Sequence, residues 1–393
     1  MTNIYDCVIV GGGNLGLWTA YHLVQRRQLR VAICERHHAG SGATSRSAGM
    51  IRQQGGTVTA IRLGIRSRQL YLQLGEELKL DSGFHQTGYY VLAESEKQKQ
   101  EFAQIVALRQ ACGLENEWLS PQEASRRFPA LSWDLLLGAT FTANDGYVNP
   151  AVVIRNITLA ILRTGMVDLL ECCPVQQIES VGDTYRVHTP HGILQSPWLV
   201  NAAGPRGFWN VGHFLNIDSL PVTASRHQIV TFPRVEGMTS DPWPMALALE
   251  RGLYIRPHEH GILLGMTNPD EPEDDSDRHQ LEFDWDYYEK LCPQWEALVP
   301  ALAGLPISQA WAAAVDRTPD NLPILDAPRP GFFVLSAGSH GMMNGPALAE
   351  KLAERMLENR LTDIPGDEVR LDRFLQPLKH DPISLSPKHK YMR

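Results

Sequence analysis

Apolar runs and helix-spaced segments alternate along the first part of the chain. Residues 5–10, YDCVIV, read as a buried strand, and residues 14–27 as a helix offering Leu15, Ala20, Leu23 and Val24 for packing. Residues 29–34, LRVAIC, read as the next parallel strand, which completes one strand–helix–strand unit of about 30 residues. Beyond a loop at 40–56, Val58, Ile61, Ile65 and Leu72 recur at helical spacing. Residues 94–112 predict an exposed helix stopped by Gly113. Asn149 and Pro150 hold the favoured cap and first-turn positions of a further helix, which Gly165 ends.

From residue 175 the period changes. VQQIES (175–180), TYRVHT (184–189) and GILQSPWLV (192–200) are short strands separated by the turns VGD and PHG, a meander. Between 221 and 266 further strand-like segments follow, among them RHQIVTF, LYIRP and GILLGM. The acidic run at 270–277 reads as a solvated loop, and the polar, proline-containing stretch 376–393 as a loosely ordered tail. Ahead of that tail, FFVLSA (332–337) leads through GSHGMMNGP (338–346) into a helix carrying Leu348, Leu352 and Met356.

Composition removes some function classes. Lys and Arg number 36 against 44 Asp and Glu, a formal charge of -8, so a nucleic-acid partner is not expected. No apolar run approaches the roughly 20 residues that span a bilayer. The apolar start at 7–10 runs into glycines instead of forming a leader. Six cysteines without CxxC spacing read as reduced thiols of a cytoplasmic protein, and no metal site is expected.

Candidate chemistry begins at 11–16, GGGNLG. Gly11 suits a tight turn, Gly13 the close approach of a pyrophosphate, and Gly16 the contact of helix with strand. Asn14 and Leu15 open a helix whose N-terminus faces the anion. Glu35 ends the second strand, where an acid bonds an adenosine ribose and repels the 2′-phosphate of NADP. Two remote segments favour FAD over NAD. Ala202, Ala203 and Gly204 end a strand in small residues, which permits a second close backbone approach. Residues 338–346 place amides at a helix start, where the dipole favours the charge of a reduced flavin.

Together these stretches resemble the flavin-dependent amino-acid and amine oxidoreductases, the family of D-amino-acid oxidase, glycine oxidase, monomeric sarcosine oxidase and the dimethylglycine and proline dehydrogenases. The resemblance spans about residues 4–375. It rests on 11–16, Glu35, SGATSRSAGMIRQQ (41–54), DGYVNP (145–150), NAAGP (201–205), YIRP (254–257), TPDNLPIL (318–325) and 338–346. It implies an α/β (α+β) fold, with a Rossmann-type FAD-binding domain discontinuous over 1–90, 145–215 and 315–375. A substrate domain at 91–144 and 216–314 is inserted there, its antiparallel sheet roofing the flavin. The implied cofactor contacts add Arg36, Ser41, Thr44, Ser45, Arg46, Ala48, Gly49 and Met50 to the glycine loop. Val175 would meet the adenine, and Gly338, His340, Gly341, Met342, Met343 and Asn344 the flavin end. The implied reaction moves hydride from the carbon bearing the amine to flavin N5, giving an imine. Arg52, which ends GMIR, is the implied carboxylate anchor and Arg256 the second candidate, with Tyr254, Gln53, Gln54 and Asn344 completing the pocket. His340 is implied beside the flavin.

Three positions depart from that pattern. Alanine stands where sarcosine oxidase attaches its flavin through cysteine, so FAD is expected to be non-covalent. Met343 replaces a lysine that contacts the carboxylate. No lysine occurs in GILLGMTNP (261–269), where sarcosine oxidase keeps one that promotes reaction with oxygen. The expected substrate is a small amino acid, N-substituted or cyclic, with oxygen or another acceptor taking the electrons. Oxidation of a 2-hydroxy acid, or service as the flavin subunit of a hetero-oligomer, remains open at this level.

Overall fold

The computed structural model describes residues 2–217, 220–234, 243–259, 261–268 and 282–375. The acidic run at 270–277 and the tail at 376–393 lie outside the described residues.

Six strands form the central sheet in the order Val167–Leu170, Val31–Cys34, Cys7–Val10, Trp198–Asn201, Phe332–Ser336 and Ile324–Arg329. The first five run parallel and the last is antiparallel. Alternation decides what each face meets. Cys7, Ile9, Ile33, Val200 and Leu335 pack on helices Asn14–Arg26, Val58–Leu78, Pro150–Arg163 and Gly341–Glu358. Val8, Val10, Ala32, Leu199 and Val334 face the other way, onto the meander and helix Gly204–Phe214. Both faces are covered, which is why these strands read as unbroken apolar runs.

The meander is real but ends earlier than the sequence implies. Residues 192–200 read as one strand, yet the chain breaks at Pro197. Gly192–Ser196 stays in a four-stranded sheet, and Trp198–Asn201 enters the parallel sheet. Proline has no N–H for either ladder, so the break falls there. The expected caps are present, with Asn149 Oδ1 accepting from Ala151 N at 3.0 Å ahead of Pro150. The helix expected to be exposed at 94–112 is Glu96–Ala111, and it buries Phe102, Ile105 and Arg109.

An eight-stranded sheet lies over the site, in the order Gln309–Arg317, Thr223–Pro233, Gly261–Thr267, Leu253–His258, Met245–Ala248, Tyr89–Ala93, Gly138–Thr142 and Glu117–Leu119. Neighbours are antiparallel except Met245–Ala248 beside Tyr89–Ala93. Tyr90, Leu92, Leu253 and Ile255 belong to a core beneath helix Trp285–Leu298. Tyr89, Val91, Ile229, Leu247 and Leu263 pack instead with Ala48, Met50 and Tyr254. Among the described residues no helix is long and apolar enough to cross a membrane.

His22, buried in the first helix, stands 3.1 Å from Pro346 O across the packed interface with the last helix. Burial pushes its imidazole down to about 4. The neutral ring's contribution is complete above about 6.5, where an unfolded histidine titrates, and is lost as pH falls toward 4. His22→Gln keeps a donor and removes the titration. Its urea midpoint should therefore fall less steeply than that of the unsubstituted protein between pH 6.5 and 4; equal slopes would exclude this linkage.

Candidate functional site

Two chambers meet at the C-terminal ends of the parallel strands. The outer one, about 290 Å³, is lined by the strand ends Val10, Cys34 and Ala202, and the inner one, about 170 Å³, lies beneath the eight-stranded sheet. Ala43, Thr44, Asp316 and Gly341 line both, so the cleft is continuous.

The outer chamber follows from the glycine turn. Gly11 has φ +110°, and a Cβ there would lie 2.3 Å from Ala202 O, so two strand ends touch through bare backbone. At Gly16 a Cβ would lie 1.9 Å from Gly11 O, which fixes glycine where the helix meets the turn without making it part of the lining. Glu35 accepts from Gly12 N at 2.8 Å and from His37 N at 2.9 Å, so the carboxylate is aimed before any ligand arrives. Thr44 Oγ1 accepts from Asn14 N at 3.1 Å and straps the 40–44 loop to the helix start. Of the residues expected here, Gly11, Gly13, Asn14, Leu15, Glu35, Arg36, Ser41, Thr44, Val175, Ala202, Ala203 and Gly204 line this chamber.

The inner chamber brings together Arg46, Ala48, Gly49, Met50, Arg52, Tyr254, His340, Met342 and Met343. Arg52 is 5% exposed, and desolvation pulls its pKa down against the upward pull of Tyr89 and Asp145. Burial pushes His340 down to about 3, with Arg52 acting in the same direction. The ring is therefore neutral, and Nδ1 donates to Gly338 O at 2.9 Å. Burial raises the Tyr254 phenol well above its ordinary range, so it stays protonated.

Besides Gln53 and Gln54, five expected site residues line neither chamber. Arg256 shares the inner face of its strand with Tyr254, but its guanidinium donates to Ala48 O and Pro257 O, each at 2.5 Å, and lies over the Tyr147 ring. Its observed place is thus a brace behind the Ala48–Met50 wall. Besides Gly16, the others are Ser45, whose hydroxyl faces Gly42 O, Gly338, which turns the chain at φ +57°, and Asn344, whose N–H donates to His340 O. Gln53 and Gln54, expected in the pocket, turn away to a buried carboxylate: Gln53 N and Nε2 donate to Asp145 Oδ1, both at 2.9 Å, and Gln54 Nε2 donates to Oδ2 at 3.1 Å. Burial pushes Asp145 up to about 6, opposed by these bonds and by Arg52.

Asp316, His227, Ile229, Leu247 and Thr267 also line the inner chamber and were not singled out from sequence. Asp316 sits two residues before the TPD triplet, and its Oδ2 accepts from Ser336 Oγ at 2.5 Å and Ala337 N at 2.9 Å. The others look like ordinary sheet residues, and only the roof's alternation reveals them.

Residues 6–355 match the family described as DAO, FAD dependent oxidoreductase. The chain is 28% identical to mitochondrial sarcosine dehydrogenase of Homo sapiens over 395 residues, covering 96% of this chain and 42% of that protein. It spans about two-fifths of the sarcosine dehydrogenases it matches, 40% of the Mus musculus protein and 42% of the Homo sapiens protein. It is 28% identical to glycine oxidase of Bacillus licheniformis, covering 91% of this chain and 95% of that one. Among solved structures, L-proline dehydrogenase from P. horikoshii superposes with a TM-score of 0.87 at 24% identity, over 95% of this chain and 99% of that one.

FAD is the cofactor, and the cleft fits it. At Gly42, Gly204 and Gly341 an added Cβ would meet nothing within 4 Å, so bare backbone stands open along the outer chamber. At Gly13 a Cβ would come within 3.2 Å of Thr44 Oγ1, the acceptor that caps Asn14. Gly13→Val should therefore fold but purify without FAD, read as the flavin-to-protein absorbance ratio. A fully flavinylated variant would overturn the assignment of this loop.

Proposed function

The chain belongs to the DAO family of FAD-dependent oxidoreductases, and we propose that it oxidises the carbon–nitrogen bond of a small amino acid of the sarcosine, glycine or proline type. The observation that carries this reading is Arg52, a buried guanidinium lining a chamber whose other walls include Met50, Ile229, Leu247, Ala313, Met342 and Met343. A planar, permanently charged fork in low dielectric selects a carboxylate, and apolar walls leave it little competition from water.

In this reading the two chambers would hold FAD between them. Gly11, Gly13, Glu35 and Ala203 of the outer chamber would hold the adenosine and pyrophosphate, and Gly341, Met342 and Met343 of the inner one the flavin end. Bound there, FAD supplies an acceptor for hydride. The protein's own part is placement. Arg52 fixes the carboxylate, a contact made alike in the bound substrate and in the transition state, so its contribution is chiefly to binding. The amine must be neutral to react, and a cationic, desolvated chamber favours that form. Asp316 has its Oδ2 engaged by Ser336 and Ala337, and His340 is a neutral wall, so neither is assigned as a base.

Two side-chain identities refine the proposal. Ala313 lines the inner chamber from the strand just before the TPD triplet, which supports non-covalent flavin. Thr267 lines it from Gly261–Thr267, a strand without lysine, which supports an electron acceptor other than oxygen.

Anaerobic mixing of the purified protein with sarcosine, glycine, L-proline, other N-methyl amino acids and 2-hydroxy acids should bleach the flavin's visible band with an amine. Bleaching only by hydroxy acids would overturn the amine reading. On admitting air, the colour should return slowly alone and rapidly with an artificial acceptor dye. Arg52→Ala should keep its FAD and raise the half-saturating substrate concentration about tenfold to a hundredfold. Unchanged kinetics would remove Arg52 as the anchor.

A further inference from the structure

Behind the chamber wall stands a carboxylate that lines neither chamber. Asp145 is 0% exposed, in the turn before strand Gly146–Val148. Burying it is costly unless every oxygen is paired. It receives Gln53 N and Gln53 Nε2 on one oxygen and Gln54 Nε2 on the other, so both oxygens serve the two residues that follow Arg52. The same segment is gripped from the opposite side. Arg109, also 0% exposed, donates through Nη2 to Gln54 O and through Nε to Gly55 O, each at 3.1 Å. Gln54 Oε1 accepts from Thr140 Oγ1 at 2.8 Å and Asn116 Nδ2 at 3.0 Å. The backbone beyond Arg52 is thus held at three successive residues by groups that touch no chamber.

We propose that Asp145 is the positioning residue for Arg52, fixing through Gln53 and Gln54 where the guanidinium meets the substrate carboxylate. This rests on Arg52 as the anchor. An amide cannot replace Asp145, because one of its two ends donates and would oppose a glutamine donor or Gln53 N–H. The 52–54 segment then settles elsewhere, and an anchoring contact made alike in the bound substrate and in the transition state is lost mainly from binding.

The test is Asp145→Asn in the FAD-loaded protein, with anaerobic flavin reduction followed at varied sarcosine and L-proline and with acetate as a competing carboxylate. The half-saturating concentration should rise about ten- to a hundredfold, acetate should weaken by the same factor, and the limiting reduction rate should change much less. FAD content and the flavin spectrum should stay as in the unsubstituted protein. Unchanged half-saturation, or an equal loss of rate and affinity with acetate unaffected, overturns the proposal. Should Asp145→Asn not hold FAD, Gln53→Met keeps the side chain's shape and removes one donor; it should raise half-saturation several-fold, and no rise overturns the proposal. Arg52→Ala separates the two ideas. If it raises half-saturation and Asp145→Asn does not, only the positioning role falls. If Arg52→Ala changes nothing, or no amino acid or acetate perturbs the unsubstituted protein, the anchor reading and this one fall together.

Discussion

Asn14 opens the first helix, and its side-chain amide donates to Gly341 O at 2.9 Å, a residue 327 positions later. It also donates to Tyr71 Oη at 3.1 Å, and Tyr71 in turn donates to Met342 O at 2.9 Å. Three helices are joined at one buried point, where the outer chamber passes into the inner. That joint ties the glycine turn to the start of the last helix, whose buried face packs in the same core through Leu348, Leu352 and Met356. The close approach of Gly11 to Ala202 sets the other end of the cleft.

The site's electrostatics follow from how its buried arginines are satisfied. Arg109 and Arg256 give their hydrogen bonds largely to main-chain carbonyls. A carbonyl satisfies the donor without cancelling the charge, so burial pushes these guanidinium groups down, to about 9 for Arg109 and about 10 for Arg256. Asp145 pulls Arg109 the other way, and it lies behind the wall. Arg46 and Arg52 line the inner chamber with one acid, Asp316, whose Oδ2 is engaged by Ser336 and Ala337, a setting that suits an anionic ligand and penalises a protonated amine.

Local chemistry was legible in the sequence and distant pairing was not. The glycine turn, Glu35 at the strand end and the capped start at Asn149 are set by residues a few positions apart, and each stands as the sequence implies. Arg52 could be named from its motif, but nothing near it announces Asp145 or Arg109, which reach Gln53, Gln54 and Gly55 from more than 50 positions away. Arg256 lies outside the lining because strand alternation gives a side chain its face and not its reach; the long stem carries the guanidinium to Ala48 O. The helix at Glu96–Ala111 looked exposed because its apolar positions are few, and a buried arginine completes its inner face.

The order of the central sheet has a consequence for biosynthesis. Strand Cys7–Val10 is synthesised long before Phe332–Ser336, the strand two places from it, and the cleft is not closed until Gly341 reaches Asn14. A nascent chain carrying every residue of the glycine turn therefore has no closed cleft until the residue 327 positions beyond Asn14 has been translated. Until then the inner face of the roof sheet lacks Met342 and Met343 from the wall beneath it, and that apolar surface stays open during synthesis.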